Sequence, residues 1–252
     1  MGYIDFHTHL DWYENQDNLL KQLGEFQGVI IAASVDAQSY ERNLAIASGC
    51  NSENVTIVPT VGIHPKNAAE APENLSVYNE LCEKSPIIGE IGMDFCWFKD
   101  ASPYKQEQVF RYFLNHCNQT GKYCVIHTKD AEVQIARILE DYPNAKPIIH
   151  WYDGPEDVFQ EFCRKGYYQT FGCETIRSKY IQKLLLQTPQ HLILAETDNP
   201  TSEPWLGGTD NSVNLIKRVY KDIGDVLGVS VEQIKDIINR NSISILQKSG
   251  VI

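Results

Sequence analysis

The sequence predicts an α/β chain whose eight strand–helix units close into a TIM (β/α)8 barrel, a single domain over residues 1–252. Three observations carry that prediction. Short runs rich in β-branched residues recur eight times, helical periodicities fill the stretches between them, and 252 residues suit a barrel of this kind. A doubly wound open sheet is the rival architecture compatible with the same pattern.

The strand runs fall at 3–6, 28–33, 55–61, 87–90, 123–127, 147–150, 167–171 and 192–196. Between the fourth and fifth, Ser102-Pro103 supplies an N-cap and a first-position proline, and the helix it opens carries Phe110, Phe113, Leu114 and Cys117 on one stripe. After the fifth, residues 130–142 place Val133, Ile135, Ile138, Leu139 and Tyr142 at helical spacing. Near the end, Ser230-Val231-Glu232-Gln233 is a capping box for a last helix whose Ile234, Ile237 and Ile238 face inward.

Composition narrows the function. A hydrophobic content of 42% suits a globular core, and no apolar run approaches the roughly 18 residues of a membrane span. The N-terminus lacks a basic segment followed by an apolar one, and Phe6 stands where myristoylation would want Ser or Thr, so a cytoplasmic protein without a membrane partner is expected. Seven scattered cysteines without a Cys-x-x-Cys pair read as reduced thiols. A net charge of −11 argues against a broad nucleic-acid-binding face; a phosphate ligand would need bound cations and a few basic side chains.

A barrel gathers its chemistry where strands end, on the C-terminal face. His7 and His9 follow the first run and, one residue apart, share a strand face on which two imidazoles can hold one ion. His64 follows the third run, Glu90, His127 and His150 end the fourth, fifth and sixth, and Asp198 follows the eighth. Only His116 and His191 fall elsewhere, as expected of surface or capping histidines. Imidazoles with carboxylates suit Zn, Mn, Fe or Ni, and more oxygen would lean to Mg.

The motifs Asp5-Phe6-His7-Thr8-His9, Gly62-Ile63-His64-Pro65, Gly89-Glu90-Ile91-Gly92-Met93-Asp94, Val125-Ile126-His127-Thr128-Lys129-Asp130-Ala131 and Glu196-Thr197-Asp198 occur in this order over residues 5–198. In this the chain resembles the TatD family of metal-dependent deoxyribonucleases, within the amidohydrolase-like barrels. The resemblance implies two divalent ions, with His7, His9 and Asp198 on the first, Glu90 bridging, and His127 with His150 on the second. It implies Asp198 as ligand and proton acceptor together, and a metal-activated water that cleaves phosphodiesters from a 3′ end of DNA or RNA. Catalytic roles are thus expected for Asp198, Glu90 and His64, the last donating to a phosphate oxygen.

Supporting roles are open to other residues. Asp5 shares the face of His7 and His9 and is expected either to accept a hydrogen bond from a ligating imidazole or to be a buried structural carboxylate. Asp94 supports the site or caps its loop. Lys66, Lys129, Arg177 and Lys179 lie in strand-to-helix loops where a phosphate backbone could pass, and Trp97 and Phe98 either stack on unpaired bases or pack in the core.

Two departures from the family pattern bear on substrate. Trp151-Tyr152-Asp153-Gly154 replaces the usual Cys-Phe-Ser-Gly after the sixth strand, and the loop 199–213 lacks the arginine that usually receives phosphate. With Asp153, Glu174 and Glu203 added, a single-stranded nucleic acid end competes with a small amide, lactone or ester as substrate of the same dinuclear site. A non-catalytic metal-binding protein is the third reading, disfavoured by the complete ligand set. A monomer or weak homo-oligomer is expected.

Overall fold

A computed structural model of the protein describes residues 2–202 and 212–252. Eight parallel strands alternate with helices: β1 Tyr3–Thr8, α1 Gln16–Glu25, β2 Gly28–Ala32, α2 Ala37–Gly49, β3 Val55–Pro59, α3 Asn79–Lys84, β4 Ile88–Asp94, α4 Pro103–Thr120, β5 Tyr123–Lys129, α5 Glu132–Leu139, β6 Lys146–His150, α6 Glu156–Arg164, β7 Tyr168–Phe171, α7 Lys179–Gln187 and β8 Ile193–Ala195. The helices α8 Leu215–Leu227 and α9 Val231–Lys248 complete the chain. All eight sequence runs are strands, which is the predicted TIM-barrel order.

The ladder forms two arcs, β1-β2-β3 and β4-β5-β6-β7-β8. At one seam Val61 bridges Ile88 in parallel, with Gly89 N–H donating to Val61 O at 2.8 Å and Glu90 N–H to Ser34 O at 2.9 Å. At the other, Asp198 N–H donates to His7 O at 2.9 Å and His9 N–H to Asn199 O at 2.8 Å. Alternate strand residues Ile4, Phe6, Val29, Ile31, Val125, Ile148 and Leu194 form the inner cluster, which Ile245 and Leu246 of α9 join. The opposite parity, with Ile30, Ile126, Ile149 and Ile193, packs against Phe110, Phe113, Leu184 and Val219 of the helices. This inside–outside alternation is what a parallel barrel requires.

The capping signals act as read. Ser102 Oγ accepts Lys105 N–H at 3.2 Å with Pro103 behind it, and Ser230 and Gln233 exchange the two bonds of a capping box at 3.2 and 2.9 Å. α5 is shorter than 130–142, and Val133, expected on its buried stripe, is exposed. β4 and β5 also run past the predicted ends: Gly92, Met93 and Asp94 pair with His127, Thr128 and Lys129. Glu90 and His127 therefore stand within strands, not at their last residue. All seven cysteines are free thiols, and among the described residues no helix is long and apolar enough to cross a membrane.

Candidate metal centre and active site

Backbone irregularity aims the ligands. The β1–β2 register slips by one residue between Asp5 and Thr8, and the β4–β5 register slips between Ile88 and Ile91, so both strands break step where His7 and Glu90 stand. Such slips re-aim side chains beside active sites. Around Glu90, Gly89 at φ +150° and Gly92 at φ +148° let β4 lie against β5; a Cβ on Gly92 would meet His127 O at 2.0 Å. Trp151 at φ +40° and Asp198 at φ +49° hold the left-handed conformation next to and within the site, a cost that functional segments tolerate.

His7 Nε2, His9 Nε2, Glu90 Oε2 and Asp198 Oδ1 converge. The two imidazole nitrogens are 3.4 Å apart, His7 lies 3.3 Å from Glu90 and 3.5 Å from Asp198, and His9 lies 3.5 Å from Glu90 and 3.3 Å from Asp198. Each imidazole nitrogen thus lies 3.3–3.5 Å from both carboxylate oxygens, a spacing at which imidazole and carboxylate ligands can share an ion. Both carboxylate oxygens are buried without a hydrogen-bond partner. Two neighbouring imidazole nitrogens and two carboxylate oxygens left without hydrogen-bond partners fit the ligand set of a metal ion.

The other Glu90 oxygen faces a second group. Oε1 lies 3.0 Å from His127 Nδ1, 3.3 Å from His64 Nε2 and 3.8 Å from His150 Nε2, with 3.3 Å between the His64 and His127 nitrogens. His64 was expected beside the phosphate; here it approaches Glu90 more closely than His150 does. Carboxylates stand behind this group: Asp94 Oδ2 is 2.9 Å from His127 Nε2, and Glu196 Oε2 is 2.8 Å from His150 Nδ1. Such partners fix the tautomer and orientation of a ligating ring. Asp94 also caps its loop, accepting from Cys96 and Trp97 N–H at 2.8 and 2.6 Å, so both roles foreseen for it are present.

Asp5 departs from one of its two expected roles. Its carboxylate accepts from His7 N–H, Thr197 N–H and Thr197 Oγ at 3.3, 3.0 and 2.6 Å and touches no imidazole. The slip in β1 interrupts the alternation that would have set Asp5 beneath His7, leaving the buried structural carboxylate. Glu196 is the residue that sequence reasoning missed. It shares strand parity with Asp198, a signal that was available.

Electrostatics follow burial and partners. Burial alone would raise Glu90 and Asp198, but the surrounding imidazoles outweigh it, holding Glu90 well below the carboxylate range and Asp198 at about 2. Burial pushes Glu196 and Asp5 up to about 8 and pulls His64 down to about 4. For His127 the desolvation cost is outweighed by the Asp94 and Glu90 hydrogen bonds, which lift it to about 9.

The ligands floor a cavity of about 470 Å³ whose rim includes Trp12, Lys66, Trp97, Phe98, Lys129 and Asp153. Arg177 and Lys179 are exposed and do not line it. Trp97 is 60% exposed, so of its two expected roles core packing is set aside. Residues 203–211 of the loop after Asp198, with Glu203 and the segment lacking the family arginine, lie outside the described residues.

A sequence model of the TatD related DNase family matches residues 4–247. The chain belongs to that family. TatD relatives include the metal-dependent hydrolase MJ1582 of Methanocaldococcus jannaschii, 25% identical over 95% of each chain, and human deoxyribonuclease TATDN3, 27% identical over 98% of this chain and 96% of that one. The solved TatD homologue YjjV of Escherichia coli superposes with a TM-score of 0.83 at 20% identity, covering 96% of this chain and 97% of its own. The expectation of a TatD-type metal-dependent hydrolase on a TIM barrel agrees with this membership.

Proposed function

We propose that the protein is a two-metal phosphodiesterase that trims single-stranded DNA or RNA from an end, the 3′ end as the family resemblance implies. One observation carries the reading: Glu90 turns its two oxygens to two separate donor groups, His7, His9 and Asp198 on one side and His64, His127 and His150 on the other. A carboxylate so placed suits a pair of ions that clamp the attacking and departing oxygens of an in-line displacement. The name of the human relative, a deoxyribonuclease, supports the substrate class.

Divalent ions held there supply Lewis-acid polarisation of the phosphoryl group and a lowered pKa for water. The chain's own residues do the rest. Asp198 stays ionised at neutral pH, its Oδ2 accepting from Thr201 Oγ at 2.5 Å, and so can take the proton of the attacking water. Glu196 and Asp94 hold His150 and His127 in one tautomer. His64 is neutral because of its burial and its Nδ1 accepts Lys66 N–H at 3.0 Å, so Nε2 carries the proton and can donate to a phosphate oxygen beside the second group.

The test is metal analysis of the purified protein followed by incubation with end-labelled single-stranded DNA. Stepwise loss of terminal nucleotides, absent in Glu90→Ala, is the expected result. No cleavage of DNA or RNA by a loaded protein that hydrolyses small carboxylic esters overturns it in favour of the small-substrate reading.

A further inference from the structure

The rim carries two pairs of aromatic ring and cation, one on each side of the centre. Trp12 stacks on His9 with ring centroids 4.2 Å apart, and Lys66 Nζ lies 5.1 Å from the Trp12 ring. Trp97 stands 6.4 Å from the His127 ring, and Lys129 Nζ lies 4.6 Å from Trp97. The pairs differ in charge. Lys129 is ion-paired with Asp153, whereas among the described residues no carboxylate holds Lys66. Lys129 and Asp153 also line both the catalytic cavity and a neighbouring cleft of about 550 Å³ that contains Arg137, so their ion pair is the partition between the two.

We propose that the two pairs are nucleotide subsites of opposite electrical character, and that Asp153 selects the chain end. Resting on the phosphodiesterase reading above, the assignment places the terminal nucleoside on Trp97 and the next nucleotide, with its phosphate, on Trp12 and Lys66. Bases of any sequence stack on aromatic faces; Trp97 is exposed, and Trp12 is half-buried with one face against His9. Lys66 keeps its charge for a backbone phosphate. On the Trp97 side Asp153 is paired with Lys129 and stands between the catalytic cavity and the neighbouring cleft. A chain running on past the terminal nucleoside would have to part that ion pair, and a terminal phosphate, carrying a charge of about −1.5 to −2, would be set against a carboxylate. A hydroxyl end meets neither obstacle. The replacement of the family's small residue by Asp153 thus acquires a purpose: it restricts the enzyme to uncharged termini.

The experiment compares single-stranded decathymidylate ending in a 3′-hydroxyl with the same oligomer ending in a 3′-phosphate. Wild type is expected to favour the hydroxyl end. Asp153→Asn and Asp153→Ser should raise the ratio of kcat/KM for phosphate over hydroxyl ends at least about tenfold, because like charges set together are costly. Lys66→Ala should raise KM for the decamer more than for a thymidine dinucleoside monophosphate, which has no phosphate beyond the scissile one to reach Lys66. Metal content equal to wild type shows that each variant is folded. A ratio that moves less than about twofold in both Asp153 variants, while wild type cleaves both oligomers or the hydroxyl-ended one, overturns the subsite assignment alone. Failure of wild type to cleave any oligomer overturns the phosphodiesterase reading and the assignment together.

Discussion

The two donor groups that share Glu90 are built differently. In the second, the rings of His127 and His150 are each backed by a carboxylate, Asp94 and Glu196. In the first, the Nδ1 atoms of His7 and His9 have no hydrogen-bond partner, and the rings are held by stacking, His7 on His150 at 3.8 Å and His9 on Trp12 at 4.2 Å. One side is oriented by hydrogen bonds and the other by packing. The lesson is that a buried imidazole can be positioned for a metal by either device, and that the two should fail in different ways.

The strongest blow to the comparison is removal of what the sides share. Glu90→Ala should lose both ions and at least about 10³-fold in kcat/KM, read by metal analysis and end-labelled cleavage. Retention of one ion at full occupancy would show that the groups are independent.

Next come the carboxylates. Asp94→Asn and Glu196→Gln should each weaken binding of one ion by about 10- to 100-fold while leaving the other in place, as titration calorimetry of the metal-free protein would resolve. Equal loss of both ions in these variants contradicts a sidedness set by outer partners.

A smaller effect concerns protons. In the metal-free protein His127, raised to about 9, is an imidazolium at neutral pH and must lose its proton to ligate. Affinity at the second group should therefore rise about tenfold per pH unit up to 9 and level off above it. Calorimetry in two buffers of different ionisation enthalpy would report the released proton. The smallest change is expected for Trp12→Ala, which removes the ring behind His9 and should weaken the first ion by about three- to tenfold without touching the second.

The sequence made the barrel legible because its signals are local. Capping at Ser102 and Ser230 is decided within one helical turn, and strand runs such as 28–33 are decided by side-chain type. The gathering of the six expected ligands and His64 at one end of the barrel was legible for the same reason: strand ends place polar residues in one pocket whatever the detailed packing. Long-range register was not legible. The slips at Asp5–Thr8 and Ile88–Ile91 arise from pairing with another strand, so strand parity leaves both roles of Asp5 open and the sequence ends the fourth strand at Glu90 although it runs to Asp94. Glu196 escaped because its partner, His150, is 46 residues away. The masking of Lys129 likewise depends on Asp153, 24 residues on, and nothing in either residue's neighbourhood announces the other.

The two seams of the barrel have a mechanical consequence. Glu90 N–H crosses from the five-stranded arc to Ser34, and Asp198 N–H crosses back to His7. Both joints between the arcs are thus sewn by the backbone of residues whose side chains face the metal groups. Ions held by Glu90, His7 and Asp198 would act as rivets through two overlapping plates. Stripping them should loosen the hoop at those joints first, so that amide exchange quickens at Glu90 and Asp198 while the ladder between β2 and β3, which carries no ligand, keeps its protection.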